Sequence, residues 1–437
     1  LRDPQRSLLP VGFVDDELRK RGVEIQGIRV LGTCEQIPKL TEELGIELIL
    51  LALPSARSRQ MRRIVELCEK TSIPFRTLPC MQDLVAGRVS INTLREVSIE
   101  DLLGRDPVKL DRQAISAELS GRCVLISGGG GSIGTELCRQ VAILKPEKLV
   151  LLDNSEFNLF RVERELRQKF PGTEIHAILG DVADEAAVEH LFRTLRPDIV
   201  YHAAAYKHVP MLESQLREAI RNNVLGTRIM ALAADRHGCD AFVLISTDKA
   251  VNPANIMGAS KRIAEIFCQN LNQHSTTRFI TVRFGNVLGS DGSVVPLFKS
   301  QIETGGPVTV THPEMMRYFM TIPEACQLIL QAEAMGKGSE IFVLNMGEPV
   351  RITYLAEQMI RLSGNEPGKD IEIVYTGLRP GEKLFEELFH EKEQLEGTQH
   401  EKILLAQHRK IDWQRLNEVI ASMETACLGY DEDTLMG

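Results

Sequence analysis

Residues 127–134 read Ser127-Gly128-Gly129-Gly130-Gly131-Ser132-Ile133-Gly134, and this glycine run limits the fold of the chain more tightly than any other feature. It follows Cys123-Val124-Leu125-Ile126-Ser127, an unbroken apolar run of the kind that forms a strand buried on both faces. Gly128, Gly131 and Gly134 have the spacing of a tight turn whose backbone can approach a pyrophosphate, with a helix expected from about Gly134. Asp153 closes the next apolar run, Leu149–Leu152. It lies about 20 residues on, where a carboxylate bonds adenosine ribose hydroxyls and disfavours a 2′-phosphate. Strand, glycine turn, helix, strand and acid together predict a dinucleotide site that takes NAD rather than NADP. Ser132, Ile133 and Asn154 join the candidate cofactor contacts.

Further strands read at Ile175–Leu179, Ile199–His202, Phe242–Ile245 and Phe279–Arg283, with helical stretches between them. That alternation predicts an α/β fold with a Rossmann-like, doubly wound parallel sheet. Gly180-Asp181-Val182 ends one strand. Asp181 either bonds an adenine amine or caps the helix that follows, and Val182 lies beside it. In His202-Ala203-Ala204-Ala205 the small residues serve either a flat cofactor passing the sheet edge or simple packing. Beyond Gly289 the elements become shorter and mixed, which predicts a smaller C-terminal substrate lobe.

The chain has 437 residues, too many for one ordinary core. The expected division is a partial Rossmann-like N-terminal domain at 1–81, a polar connector at 82–120, the NAD-binding domain at 121–288, and a substrate lobe with C-terminal helices at 289–437. In the first part, Val11–Val14 and Leu48–Leu53 read as strands, the latter closed by Pro54-Ser55. Arg57–Lys70 carries Met61, Ile64, Val65, Leu67 and Cys68 at helical spacing. It has no glycine-rich turn of its own, like the later half of a nucleotide-binding fold, so a docking or linking role without a dinucleotide is expected. The net charge of −9 disfavours nucleic acid as a bulk partner. Nine cysteines without a CxxC pair read as reduced thiols, with neither a disulfide framework nor a metal site. No run reaches the roughly 18 apolar residues of a membrane span. The chain begins Leu1-Arg2-Asp3 without methionine, as a piece of a longer protein would, so that absence applies to this piece only.

Ser246-Thr247-Asp248-Lys249 follows the strand Phe242–Ile245, at the strand end where α/β sheets place their chemistry. Eight residues after Lys249, Met257-Gly258-Ala259-Ser260-Lys261 opens a helix. Asp248 and Lys249 put an acid and a base side by side on the sheet rim, which makes them catalytic candidates together with Thr247 and Lys261.

The glycine turn, the sheet-end Ser-Thr and the helical lysine resemble an extended short-chain dehydrogenase/reductase, with Met257 at the position of the usual catalytic tyrosine. Other stretches extend the likeness: Ala205-Tyr206-Lys207-His208-Val209-Pro210, Asn223-Val224-Leu225-Gly226-Thr227, Arg283-Phe284-Gly285-Asn286-Val287 and Arg379-Pro380-Gly381-Glu382-Lys383. With them, nearly the whole chain resembles the membrane-anchored UDP-N-acetylglucosamine 4,6-dehydratases of bacterial surface-glycan synthesis.

The resemblance implies the following chemistry. Hydride passes from C4 of the sugar to NAD, Lys249 takes the C5 proton, Asp248 protonates the departing C6 hydroxyl, and the hydride returns at C6. It also implies that Thr247 bonds the C4 hydroxyl and Lys261 holds the nicotinamide ribose. Asn286, Ser290, Ser293 and Val294 would carry the UDP diphosphate and uracil. Arg379 would take diphosphate and Glu382 ribose, with Lys207 and His208 at the pocket. A lysine acts as base only if desolvation or a cationic neighbour such as Lys261 lowers its pKa. Family members carry transmembrane helices before a segment like residues 1–80, which places the whole protein at the cytoplasmic face of the inner membrane, as a homo-oligomer. Two other functions remain open: a UDP-sugar 4-epimerase, which needs no C5 base and normally keeps the tyrosine, and a non-catalytic NAD-binding sensor.

Overall fold

The computed structural model describes residues 8–53, 58–71, 73–78, 95–103, 108–389, 395–406 and 411–436. The chain divides into two compact units, one made of Leu1–Asp106 with Glu357–Asp370, the other of Pro107–Ala356 with Ile371–Gly437.

The larger unit is built on a nine-stranded sheet. In order across the sheet the strands are Leu395–Gly397, Ile403–Ala406, Ile341–Leu344, Arg278–Phe284, Ala241–Thr247, Ile199–His202, Cys123–Ser127, Lys148–Asp153 and Glu174–Leu179. The last seven run parallel, and the first two antiparallel to their neighbours. Strand periodicity of two separates the apolar side chains onto opposite faces. Val124 and Ile126 join one core with Leu149 and Leu151. Cys123 and Leu125 join the other with Val150 and Leu152. Both faces are thus covered, which is why these strands are unbroken apolar runs. Strand order reverses between Cys123–Ser127 and Ile199–His202. At such a switch point the following loops diverge and leave a crevice.

Helix starts follow local capping chemistry. Ser155 accepts from the Asn158 amide, Asp184 from Ala187 and Asn255 from Gly258. The helix after the glycine turn begins at Ser132, two residues before Gly134, because Gly131 in extended geometry already serves as its N-cap. The region beyond Gly289 is less separate than its broken pattern suggests. Ile341-Phe342-Val343-Leu344 is fully buried and returns to the main sheet, followed there by Ile403–Ala406 and Leu395–Gly397. Three small pairings complete it: Asn286–Val287 with Phe319–Met320, Val308–Val310 with Ile373–Tyr375, and Met316–Arg317 with Val350–Arg351.

In the smaller unit, Phe13–Val14 pairs with Ile28–Gly32, and Ile49–Leu51 with Phe75–Thr77, both in parallel. The helix Ser58–Glu69 buries Met61, Ile64, Val65, Leu67 and Cys68, the apolar set its spacing predicts. Within the stretch expected as connector lie the short helices Ile99–Leu103 and Arg112–Leu119. Pro54-Ser55 falls outside the described residues. Among the described residues no helix is long and apolar enough to cross a membrane.

Candidate active site

A cleft of about 200 Å³ opens at the switch point. Gly128 and Gly131 form one wall, Asp153, Asn154 and Val182 another, and Ala203, Ala204 and Ala205 the third. Gly128 has φ +69°, and a Cβ there would lie 2.7 Å from the Ala204 amide nitrogen, so only glycine fits where the turn meets the next strand's end. No side chain caps the helix Ser132–Ile143, whose N-terminus faces this turn. The Asp153 carboxylate accepts from the amides of Gly130 and Ser155, each at 2.8 Å, which fixes it while leaving lone pairs for a hydroxyl. These residues fit a dinucleotide. Gly134 is buried in the helix, and half-buried Ile133 packs on the core.

Asp181 accepts from Arg221 at 2.8 Å and from the Ala183 amide at 2.9 Å, while the helix that follows is capped by Asp184. Ser155, Asn158, Tyr206 and Asn222 also line the cleft, though sequence reasoning did not single them out. The helix-start signal at Ser155-Glu156 was the available clue.

The strand Ala241–Thr247 delivers the second group of residues. Ser246 donates to Glu265 at 2.7 Å, and Arg283 forks onto the same carboxylate with two 2.7 Å bonds. Burial pushes the Glu265 carboxyl up, but Arg283 more than offsets it and holds the group ionised. This clamp ties the helix Ile256–Leu271 beneath the sheet rim. A Cβ on Gly258 would sit 2.1 Å from the Lys249 carbonyl oxygen, so the helix start lies directly against the Thr247–Lys249 turn.

On that turn the Thr247 hydroxyl donates to Asp248 Oδ1 at 2.9 Å. Lys249 Nζ donates to the same oxygen at 3.0 Å and to Asn286 Oδ1 at 3.2 Å. Glu386 Oε1 stands 3.5 Å from Lys249 Nζ. Asp248 is buried, and its Oδ2 has no hydrogen-bond partner.

The lysine expectation is reversed here. Burial alone would draw the proton from Lys249, but Asp248 and Glu386 outweigh it and hold the ammonium above its ordinary value. Lys261 is lowered instead, brought to about 8 by burial with Glu265 opposing, and Lys207 is lowered too, by burial with Asp291 opposing. Met257 lies in an apolar cluster with Leu212 and Ala219 and offers no proton-transfer group.

The remaining candidates divide. Asn286 reaches Lys249 directly. Ser290 is buried, and its hydroxyl donates to the Val287 carbonyl at 3.2 Å. Ser293 Oγ is buried without a partner at the head of the helix that Val294 begins. His208 is exposed, its ring against Gly292, and Lys207 is exposed beside it. Arg379 is exposed, and Glu382 accepts from its amide at 3.2 Å. Arg317 and Glu386 were not foreseen. They are remote from Lys249 in sequence and belong to no motif around it.

Comparison with known proteins follows this geometry. The family model described as polysaccharide biosynthesis protein matches residues 124–408, and one described as CoA-binding domain matches residues 1–79. Capsular polysaccharide biosynthesis protein CapD of Staphylococcus aureus is 45% identical over all of this chain and 73% of its own length. The inverting UDP-N-acetylglucosamine 4,6-dehydratase of Campylobacter jejuni is 32% identical over 61% of this chain and 77% of its own. A UDP-glucose 4-epimerase of Rickettsia canadensis matches equally, at 32% over the same shares. Among solved structures, that of Pen from Bacillus thuringiensis is 32% identical, with a TM-score of 0.61 over 69% of this chain and 99% of its own.

Proposed function

The chain belongs to the polysaccharide biosynthesis protein family, related to nucleotide-sugar dehydratases and epimerases, and from that premise we propose that it is an NAD-dependent UDP-N-acetylglucosamine 4,6-dehydratase. Its product is a 4-keto-6-deoxy UDP-N-acetylhexosamine for surface-glycan synthesis. The observation that carries the reading is the Asp248–Lys249 pair, an acid and a base 3.0 Å apart on the sheet rim, with Asp248 buried and Lys249 half-buried. An epimerase has no use for such a pair.

The cofactor is NAD, held by the Gly128–Gly134 turn and by Asp153, with Val182 and Ala203–Ala205 along its path and Lys261 at the nicotinamide ribose. Bound there, NAD would supply the acceptor for the C4 hydride and its donor for C6. The chain's own residues move the protons. Met257 cannot receive the C4 hydroxyl proton, so Thr247, already bonded to Asp248, relays it to that carboxylate. Asp248 becomes a neutral acid, and one of the two charges that hold the Lys249 ammonium is gone. Lys249 then releases its proton to solvent and takes the C5 proton as a free amine. Asp248 gives its proton to the C6 hydroxyl, which leaves as water. These transfers restore the starting ammonium and carboxylate. Lys249 can then return a proton to C5 and recover one from solvent. Asn286, Ser293, Val294, Arg379 and Glu382 bind UDP, with Lys207 and His208 at the edge of the sugar site.

Incubation with UDP-N-acetylglucosamine in D₂O tests this. A 4-keto product lighter by one water is expected, with deuterium at C5 and none at C6. Lys249→Met should slow turnover by ~10²–10⁴-fold, the usual value of one acid or base function. The equal match to a 4-epimerase favours a second reading. A C4 epimer formed without loss of water would establish that one and overturn the first. Unchanged substrate would leave the sensor.

A further inference from the structure

The Lys249 amine donates to Asp248 Oδ1 at 3.0 Å and to Asn286 Oδ1 at 3.2 Å, and Glu386 Oε1 stands 3.5 Å away as an ion-pair partner. An ammonium has three donors and no lone pair, so this surround suits the charged form. Glu386 is deeply buried, its side chain only 3% exposed. Its second cationic neighbour is Arg317, whose Nε lies 3.7 Å from the same Oε1. Arg317 is itself fixed by donation to the carbonyls of Met316 at 2.7 Å, Lys383 at 2.8 Å and Leu384 at 3.2 Å. The guanidinium therefore anchors the segment that presents Glu386 to the catalytic turn.

We infer that Glu386 is a positioning residue that keeps the Lys249 proton in place until Asp248 is neutralised, and that Arg317 limits its hold. The cluster contains three carboxylates, Asp248, Glu386 and Glu382, the last 3.8 Å from an Arg317 Nη, and two cations, Lys249 and Arg317. The helix packed against the same turn adds Lys261 and Glu265, which act on each other. Once Asp248 carries the C4 proton, Glu386 is the remaining anion on Lys249. A free Glu386 would grip the ammonium; Arg317 shares its charge and lets the proton leave. The directions agree: Glu386 raises the proton affinity of Lys249, and Arg317 lowers it. The inference rests on the reading of Lys249 as the C5 base, yet it concerns a proton equilibrium that can be read without substrate.

The test uses the full chain. Acylation of Lys249 by acetic anhydride at mildly alkaline pH, followed by peptide mass spectrometry, reports the free-amine fraction. Glu386→Gln, close in shape, should raise the rate by ~10-fold or more, the consequence of removing a charge worth about 1–3 pKa units. Arg317→Met should lower it. Glu386→Asp, which draws the carboxylate back by one methylene, should give a smaller rise and serves where Glu386→Gln does not fold. The second readout is the pH profile of C5 deuterium exchange with UDP-N-acetylglucosamine. Its acid limb should move to lower pH in Glu386→Gln and to higher pH in Arg317→Met. Unchanged or slower acylation in both Glu386 variants overturns the inference, whatever the wild-type turnover. Absence of wild-type C5 exchange overturns the proposed function, while the acylation rates still decide the role of Glu386.

Discussion

The Ser132 hydroxyl donates to the Asp291 carboxylate at 3.0 Å, and the Asp291 amide donates back to the same hydroxyl at 3.1 Å. The contact joins residues 159 positions apart. It brings the loop proposed to carry UDP to the start of the helix proposed to carry the cofactor pyrophosphate. A carboxylate at a helix N-terminus is favoured by the aligned peptide dipoles, and so is a pyrophosphate. Two anions at one helix end oppose each other. Asp291→Asn keeps the polar contacts and removes the charge, so NAD should bind ~2–5-fold tighter, the equivalent of ~0.3–1 kcal/mol at a helix terminus. Calorimetric titration with NAD measures this. Weaker binding would mean that Asp291 builds the cleft rather than competing within it.

Gly258 has its backbone against the Lys249 carbonyl, and an added Cβ would lie 2.1 Å from that oxygen. Gly258→Ala must therefore push the catalytic turn and the helix start apart. The glycine turn at 128–134 is untouched, so NAD content should stay at the wild-type level. Turnover should fall by ~10²-fold, the typical cost of misplacing a catalytic group by ~1 Å. Wild-type turnover with full NAD content would show that the turn tolerates the displacement.

The parts of this architecture legible in the sequence are those whose cause is local. Val124-Leu125-Ile126 is apolar throughout because both faces of the strand are covered. Gly128 is glycine because its φ and the nearby Ala204 backbone allow nothing else. The place of Asp248-Lys249 on the sheet rim was readable because the strand before it and the helix after it are locally determined. What was not legible depends on distant partners. The region beyond Gly289 reads as a separate lobe of mixed elements, but Ile341–Leu344 returns to the main sheet by pairing with Arg278–Phe284. The Ser290 hydroxyl donates to a carbonyl three residues back, a choice made by loop geometry. What holds the Lys249 proton was not legible, because Glu386, which helps to raise its proton affinity, comes from a separate segment of the chain.

Lys261 provides a prediction with a defined pH window. Its folded value of about 8 lies below the ordinary 10.5, because burial disfavours the charge. Below pH 8 both states carry the proton, and the fold bears the full penalty of a buried ammonium. As pH rises from about 8 to 10.5 the folded chain gives up its proton first, and the penalty fades. Lys261→Met, without NAD, should therefore melt above wild type at neutral pH, with the difference closing near pH 10.5. A constant difference would show that the lysine is not the titrating group. The same variant should retain NAD poorly.

His202 gives the opposite end of the pH scale. It is buried on the strand beside Cys123–Ser127, in register with Ser127. Its Nδ1 lies 2.7 Å from Ser127 Oγ, and its Nε2 lies 3.0 Å from Thr227 Oγ1. The Thr227 hydroxyl already donates to the Asn223 carbonyl at 2.7 Å, so it must accept from Nε2–H, which leaves Nδ1 to accept from Ser127. The neutral ring is thus fully used, and a second proton would face the Ser127 donor. Burial, with nearby Lys261 adding to it, lowers the folded value from 6.5 to about 3. Below pH 6.5 the unfolded chain binds a proton that the folded chain refuses, so stability is lost progressively as pH falls toward about 3. His202→Gln supplies a donor and an acceptor but does not titrate. At neutral pH it should be less stable by ~1–3 kcal/mol, the cost of imperfectly met buried hydrogen bonds. As pH drops below 6.5 only wild type pays for the imidazole, and the gap should narrow. Urea unfolding of both proteins across that range reads the effect directly, since every other titrating group is common to the two. A gap that widens in acid would mean that His202 takes up its proton in the folded state.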